Sequence, residues 1–240
     1  MTTISFKGVT TPQHYLYYLF KEISFDISFF IVGKLIYYYG WWIVKTIKEL
    51  HDDAIAREIP IMKDDGIAYL YDFLQKHNIK NVLEIGSAVG FSSICMAMSK
   101  DDIHITTIEK DEERYQEAIQ NIKEFDKENQ ITCLNMDALE YIPDRLYDLL
   151  FIDAAKSSNG RFFDRFTPYL INGGYVIVDN MYFYGFVDDI GQVRTKNLRQ
   201  LVQKIQKFKT YIMEHPDYES TYLQTGDGII IAQKKVSNEE

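Results

Sequence analysis

From residue 80 onward, short apolar runs alternate with stretches of helical spacing, and this alternation constrains the fold more than any other feature of the chain. Asn81–Gly86 (NVLEIG) reads as a buried parallel strand, Ile103–Glu109 as a β-branched second strand and Ile131–Met136 as a third. Tyr147–Asp153 (YDLLFID) and Gly174–Asp179 (GYVIVD) supply the fourth and fifth. Helices are expected at Phe91–Ser99, from Asp111 to about Phe125, and near Ser158–Leu170. Strands alternating with helices build βαβ units with right-handed crossovers, so the sheet is parallel and covered on both faces. Beyond a loop at Met181–Gly191, Arg194–Glu214 places Leu198, Leu201, Val202, Ile205, Phe208 and Ile212 on one helical face. Tyr218–Gln224 and Gly228–Ala232, around Thr225-Gly226-Asp227, read as an antiparallel hairpin closing the sheet. The expected class is α/β, a seven-stranded and mostly parallel sheet with helices on both faces and a C-terminal antiparallel hairpin.

The 240 residues suffice for one such domain at 58–240, preceded by a helical, aromatic-rich extension at 1–57. Within the extension, Ile27–Ile43 (ISFFIVGKLIYYYGWWI) approaches the length of a membrane span. Lys34 sits at its middle, where a lysine costs about 3 kcal/mol. A helix that covers the core or pairs with a second subunit is therefore expected instead, giving a homodimer and no membrane contact. Cys95 and Cys133 show no metal-type spacing, and no secretory leader is evident, so a reduced cytoplasmic protein is expected.

Ligands of an open parallel sheet bind beyond the carboxyl ends of its strands. Gly86 and Gly90 follow the first strand and permit a tight turn with close approach to a ligand, although their spacing is not that of the dinucleotide fingerprint. Glu109 ends the second strand, where a carboxylate can accept from both ribose hydroxyls of a nucleoside. Asp137-Ala138 follows the third, beside an adenine edge. Structural turns and solvated strand-end acids would give the same residues singly; three consecutive strand ends point to a nucleoside cofactor, with Glu84 available for an ammonium group.

The fourth strand ends in Asp153 and the fifth in Asp179-Asn180. Neighbouring strands lie about 4.8 Å apart, so these side chains can converge, and two carboxylates with an amide oxygen suit a hard cation such as Mg²⁺. Helix capping is the plainer use of each aspartate alone. Lys156, three residues after Asp153, becomes a candidate general base beside such an ion.

VLEIGSAVGFSS, TTIEKD, NMDA, YDLLFIDAAK and GGYVIVDN, in that order, resemble the metal-dependent O-methyltransferases of the catechol and caffeoyl-CoA type over about Ile59 to Lys234. The resemblance implies a Rossmann-like fold and S-adenosylmethionine as methyl donor. It implies cofactor contacts from Met62, Glu84, Gly86, Ser92, Glu109, Asp137, Ala138 and Asp153. It also implies a metal on Asp153, Asp179 and Asn180, and catalysis by Lys156 with Asp153. Within the family, HPDYESTYLQTGDGIIIAQKK most resembles the bacterial tRNA 5-hydroxyuridine methyltransferases, which make 5-methoxyuridine at the wobble position. Residues 1 to about 50 match no pattern of the family.

A net charge of −9 repels polyanions at long range, so a nucleic acid would need a local basic patch. Arg194–Tyr211 holds six basic residues (Arg194, Lys196, Arg199, Lys204, Lys207, Lys209) and no acid, and Lys196, Arg199, Lys204 and Lys207 oppose the apolar stripe. That face suits the tRNA anticodon loop, and Arg161 and Arg165 follow the turn that carries Lys156. Tyr182, Phe183, Tyr184 and Phe186 offer rings for unpaired bases, for a phenolic substrate or for the core. A catechol-like acceptor and a non-catalytic cofactor-binding protein are the alternatives; the complete Asp153, Lys156, Asp179 and Asn180 set disfavours the second, since binding alone needs no base.

Overall fold

The computed structural model of the chain describes residues 45–236. The aromatic run 27–43, and with it the expected membrane-free helix and dimer contact, lies outside the described residues. Among the described residues no helix is long and apolar enough to cross a membrane.

The described residues open with α1 (Ile47–Ala56), started by a reciprocal cap in which Thr46 N–H donates to Glu49 Oε2 at 2.7 Å and Glu49 N–H donates back to Thr46 Oγ1 at 3.2 Å. Ile47, Leu50 and Ala54 are buried, and the His51 ring lies 5.6 Å from that of Phe91. α2 (Asp64–Lys76) carries acids in its first turn, a lysine in its last, and Ile67, Leu70, Phe73 and Leu74 on its buried side. The charge pattern and apolar spacing of this segment are those of an amphipathic helix.

Then come β1 (Asn81–Ile85), α3 (Phe91–Ser99), β2 (His104–Glu109), α4 (Glu112–Glu124), β3 (Ile131–Asn135), β4 (Tyr147–Ile152), α5 (Asn159–Phe166), β5 (Leu170–Val178), α6 (Lys196–Met213), β6 (Tyr218–Leu223) and β7 (Ile229–Lys234). The seven strands lie in the order β3-β2-β1-β4-β5-β7-β6. The first five are mutually parallel, β7 is antiparallel to β5, and β6 pairs antiparallel with β7. Strand order reverses between β1 and β4. Right-handed crossovers therefore put α3 and α4 on one face and α5 on the other, and leave a crevice at the carboxyl ends of β1 and β4. Phe163 and Phe166 of α5 and Ile205, Phe208 and Ile212 of α6 pack on Leu83, Leu150 and Val176 in one apolar cluster.

One expected boundary moves. The helix foreseen to Leu170 stops at Phe166, a single 3-10 turn spans Thr167–Tyr169, and Leu170 already pairs with Tyr147. Pro168 accounts for this, because it has no N–H to continue the helical hydrogen-bond ladder. The strand so begun bulges between its pairs at Tyr147 and Leu149 before entering the regular stretch that starts at Tyr175.

Candidate active site

The turn after β1 is shaped by glycine. Gly86 has φ +96°, and a Cβ there would overlap the carbonyl oxygen of Asp153, so the donor-side loop and the end of β4 touch only because this residue has no side chain. Gly86 N–H donates to Ile108 O at 2.9 Å, and Gly90 N–H donates to Ser87 O at 2.8 Å. Glu109, at the end of β2, accepts from Ala88 N–H at 2.9 Å and from Asp111 N–H at 2.8 Å, so one carboxylate fixes the loop and the start of α4 together. Asp137 accepts from Lys110 Nζ at 2.8 Å and from Leu139 N–H at 3.0 Å, and the lysine holds its carboxyl below the usual range.

These strand ends enclose a cavity of about 600 Å³, a volume typical of a site for a small organic molecule. Of the residues expected to touch a cofactor, Gly86, Glu109, Asp137, Ala138 and Asp153 line it. Met62, Glu84 and Ser92 do not. Met62 is buried against Gly66 of α2. Glu84 is fully buried and takes hydrogen bonds from the hydroxyls of Ser92, at 2.5 Å, and Ser93. Burial pushes its carboxyl up against the opposing pull of those hydroxyls. Glu84 thus fastens β1 to α3, and both its oxygens are engaged. Arg114, Phe162 and Leu201 also line the cavity and escaped the sequence reading. They arrive from α4, α5 and α6, elements whose side chains reach the site only through long-range packing.

Asp153 belongs to the cavity wall and to a second group behind it. Asn180 Nδ2 lies 3.3 Å from Asp153 Oδ1 and 2.7 Å from Asp179 Oδ2, so the three side chains meet as their strand positions imply. Asp179 is buried, and its Oδ1 has no hydrogen-bond partner among the described residues. Burial pushes both carboxyls up; Lys156 opposes this at Asp153, while the charge of Asp153 adds to it at Asp179. Asn180 is held at φ +66°, a left-handed backbone uncommon outside glycine. Among the described residues no group of three or more His, Cys, Asp or Glu is arranged to hold a metal. What is present is two aspartates and one amide, a donor set suited to a hard cation with open positions. A buried carboxylate oxygen without a partner, with a second carboxylate close by, fits a bound cation, with the Asn180 amide turned to present its oxygen.

Lys156 begins a 3-10 turn at the cavity wall, with its Nζ 5.9 Å from the centre of the Phe183 ring. Phe183 and Tyr184 also have left-handed backbones, at φ +46° and +58°, and Tyr184 is 73% exposed.

A model of the O-methyltransferase family matches residues 42–235. The chain belongs to that family. A Staphylococcus aureus member, provisionally described as a caffeoyl-CoA O-methyltransferase, is similar at 40% identity and a TM-score of 0.76, over 79% of this chain and 92% of that one. A Bacillus cereus O-methyltransferase crystallised with SAH is 25% identical with a TM-score of 0.69, over 79% of this chain and 90% of that one. The caffeoyl-CoA O-methyltransferase of Populus kitakamiensis is 25% identical over 206 residues, which cover 79% of this chain and 86% of that protein. Membership makes the chain an O-methyltransferase, and the non-catalytic alternative falls away.

Proposed function

We propose that this S-adenosylmethionine-dependent O-methyltransferase uses a divalent cation and methylates 5-hydroxyuridine at the wobble position of tRNA. The dependence on S-adenosylmethionine follows from the family; the cation, the residue roles and the acceptor are the proposal. Gly86, Glu109, Asp137 and Ala138 would cradle the nucleoside of the donor, and Asp153, Asp179 and Asn180 would hold Mg²⁺ or a similar ion. A bound ion would make the acceptor hydroxyl more acidic, and the donor would supply an electrophilic methyl on sulfur. Lys156 Nζ accepts the hydroxyl proton. The acceptor oxygen then bonds to the methyl carbon as the carbon–sulfur bond breaks, leaving S-adenosylhomocysteine. Phe162 and Phe183, which line the cavity, would help to keep water from the reacting atoms.

One observation favours a polyanionic acceptor. Leu201 of α6 forms part of the cavity wall, and the same helix carries Lys196, Arg199, Lys204 and Lys207, all exposed and none in an ion pair among the described residues. Lys209, by contrast, pairs with Asp188 at 3.5 Å. A phosphate backbone docked on the outer face of α6 would lie across that helix from the cavity, and an unpaired base would have to reach around it. A phenolic acceptor is the second reading, supported by the aromatic wall and by the activity for which the poplar relative is named.

The deciding measurement is nucleoside mass spectrometry of tRNA from cells lacking the protein. Accumulated 5-hydroxyuridine with loss of 5-methoxyuridine is expected; an unchanged profile transfers the assignment to the phenol. Charge reversal at Arg199 and Lys204 is expected to reduce kcat/KM for tRNA at least tenfold and to flatten its salt dependence. Activity on a small phenol should change little, and an equal loss on both substrates would remove the basic face from acceptor binding.

A further inference from the structure

The β6–β7 hairpin brings a third carboxylate to the end of the sheet where Asp179 and Asn180 stand. Asp227 is 9% exposed, and its Oδ1, like Oδ1 of Asp179, is buried with no hydrogen-bond partner among the described residues. The backbone holds it there. Tyr182 N–H donates to Asp227 O at 2.6 Å and Met181 N–H donates to Gly228 O at 2.8 Å, directly after Asn180. Gly228, at φ +80°, makes this approach possible, because a Cβ would lie 2.5 Å from Tyr182 N. The charge of Asp227 repels that of Asp179. Tyr222 Oη, another buried atom without a partner, would lie 2.8 Å from the same Cβ. Lys63 stands beside Asp227 with its Nζ 3.7 Å from Oδ1, too far for a good hydrogen bond.

We propose that Asp227 is a positioning residue for the divalent cation of Asp153, Asp179 and Asn180, acting from outside the ligand set through a bridging water and its own negative charge, with Lys63 competing for the same oxygen. The inference rests on the metal-centre reading above. Among the described residues no three acids are grouped to hold a metal, and the role proposed for Asp227 lies outside the ligand set. A buried water needs two to four polar partners, and the unpaired oxygens of Asp179, Asp227 and Tyr222 can supply them. Groups standing just outside a ligand set set its geometry and its affinity.

The test is calorimetric titration of the full-length chain with Mn²⁺ in the absence of methyl donor and acceptor. Asp227→Asn keeps the shape and removes the charge; it is expected to weaken Mn²⁺ binding about 10- to 100-fold while leaving the Kd for S-adenosylhomocysteine unchanged. Lys63→Met should tighten Mn²⁺ binding, an effect of opposite sign that a merely structural hairpin contact would not produce. Unchanged Mn²⁺ affinity in Asp227→Asn, or in Lys63→Met where the first variant fails to fold, overturns the role of Asp227. If wild type takes up no Mn²⁺, or Asp179→Asn binds it as tightly as wild type, the metal-centre reading itself fails, and the two failures are thereby told apart.

Discussion

Replacing Lys156 by alanine is expected to lower kcat about 10²- to 10⁴-fold, the usual contribution of a positioned general base, which corresponds to about 3–5 kcal/mol of barrier. The KM for S-adenosylmethionine should hardly move, because Lys156 is assigned to the acceptor proton and not to the donor. Two roles could produce a loss of this kind: accepting the hydroxyl proton, or supplying positive charge next to Asp153, whose carboxyl Lys156 pulls downward. Lys156→Arg separates them. The guanidinium keeps the charge and cannot act as a base, so it should not restore activity. Raising the pH should partly restore the alanine variant, because an acidic acceptor hydroxyl then ionises without help. Full activity in Lys156→Arg would leave the lysine a purely electrostatic part.

The parallel core and the strand ends were legible because both follow from local pattern. A buried strand is a short apolar run, and a loop at its carboxyl end falls at a predictable place, so Gly86, Glu109, Asp137, Asp153 and Asp179 could be placed before any contact was known. Glu84 shows the limit of that reasoning. It shares β1 with the glycine turn, yet period-two alternation and the hydroxyls of Ser92 and Ser93 direct it into the interior. No spacing rule announces that two serines on the next helix will use up a carboxylate. Arg114, Phe162 and Leu201 were illegible for a related reason: each reaches the cavity from a helix whose rotation is set by packing against the sheet. Asp227 stood in view within Thr225-Gly226-Asp227 and read as a turn, because its closeness to Asp179 exists only once β7 has paired with β5.

Asp179→Asn should separate activity from stability more sharply than any other single change. Loss of a ligand carboxylate is expected to reduce kcat/KM about 10³-fold, since the cation is worth several kcal/mol of charge stabilisation in the transition state, and excess Mg²⁺ should not restore it. In EDTA the same variant should melt higher than wild type. Asp179 is buried, has an unpartnered oxygen and is repelled by Asp153 and Asp227, so without a cation its charge opposes folding. Each kcal/mol relieved raises the Tm of a chain of this size by about 2–4 °C. The pH dependence carries the sign. In the folded chain the carboxyl is pushed up to about 8 from an ordinary value of 3.8, so across that interval the folded state retains a proton that the unfolded state has lost. Stability contributed by this group is therefore full at acid pH and falls as pH rises toward 8, and the Tm advantage of Asp179→Asn should widen from pH 5 to pH 8. Saturating Mn²⁺ should close the gap by raising wild type alone. A variant that melts below wild type in EDTA at every pH would mean that Asp179 is already satisfied within the metal-free fold, and would remove the main physical reason for a cation at the ends of β4 and β5.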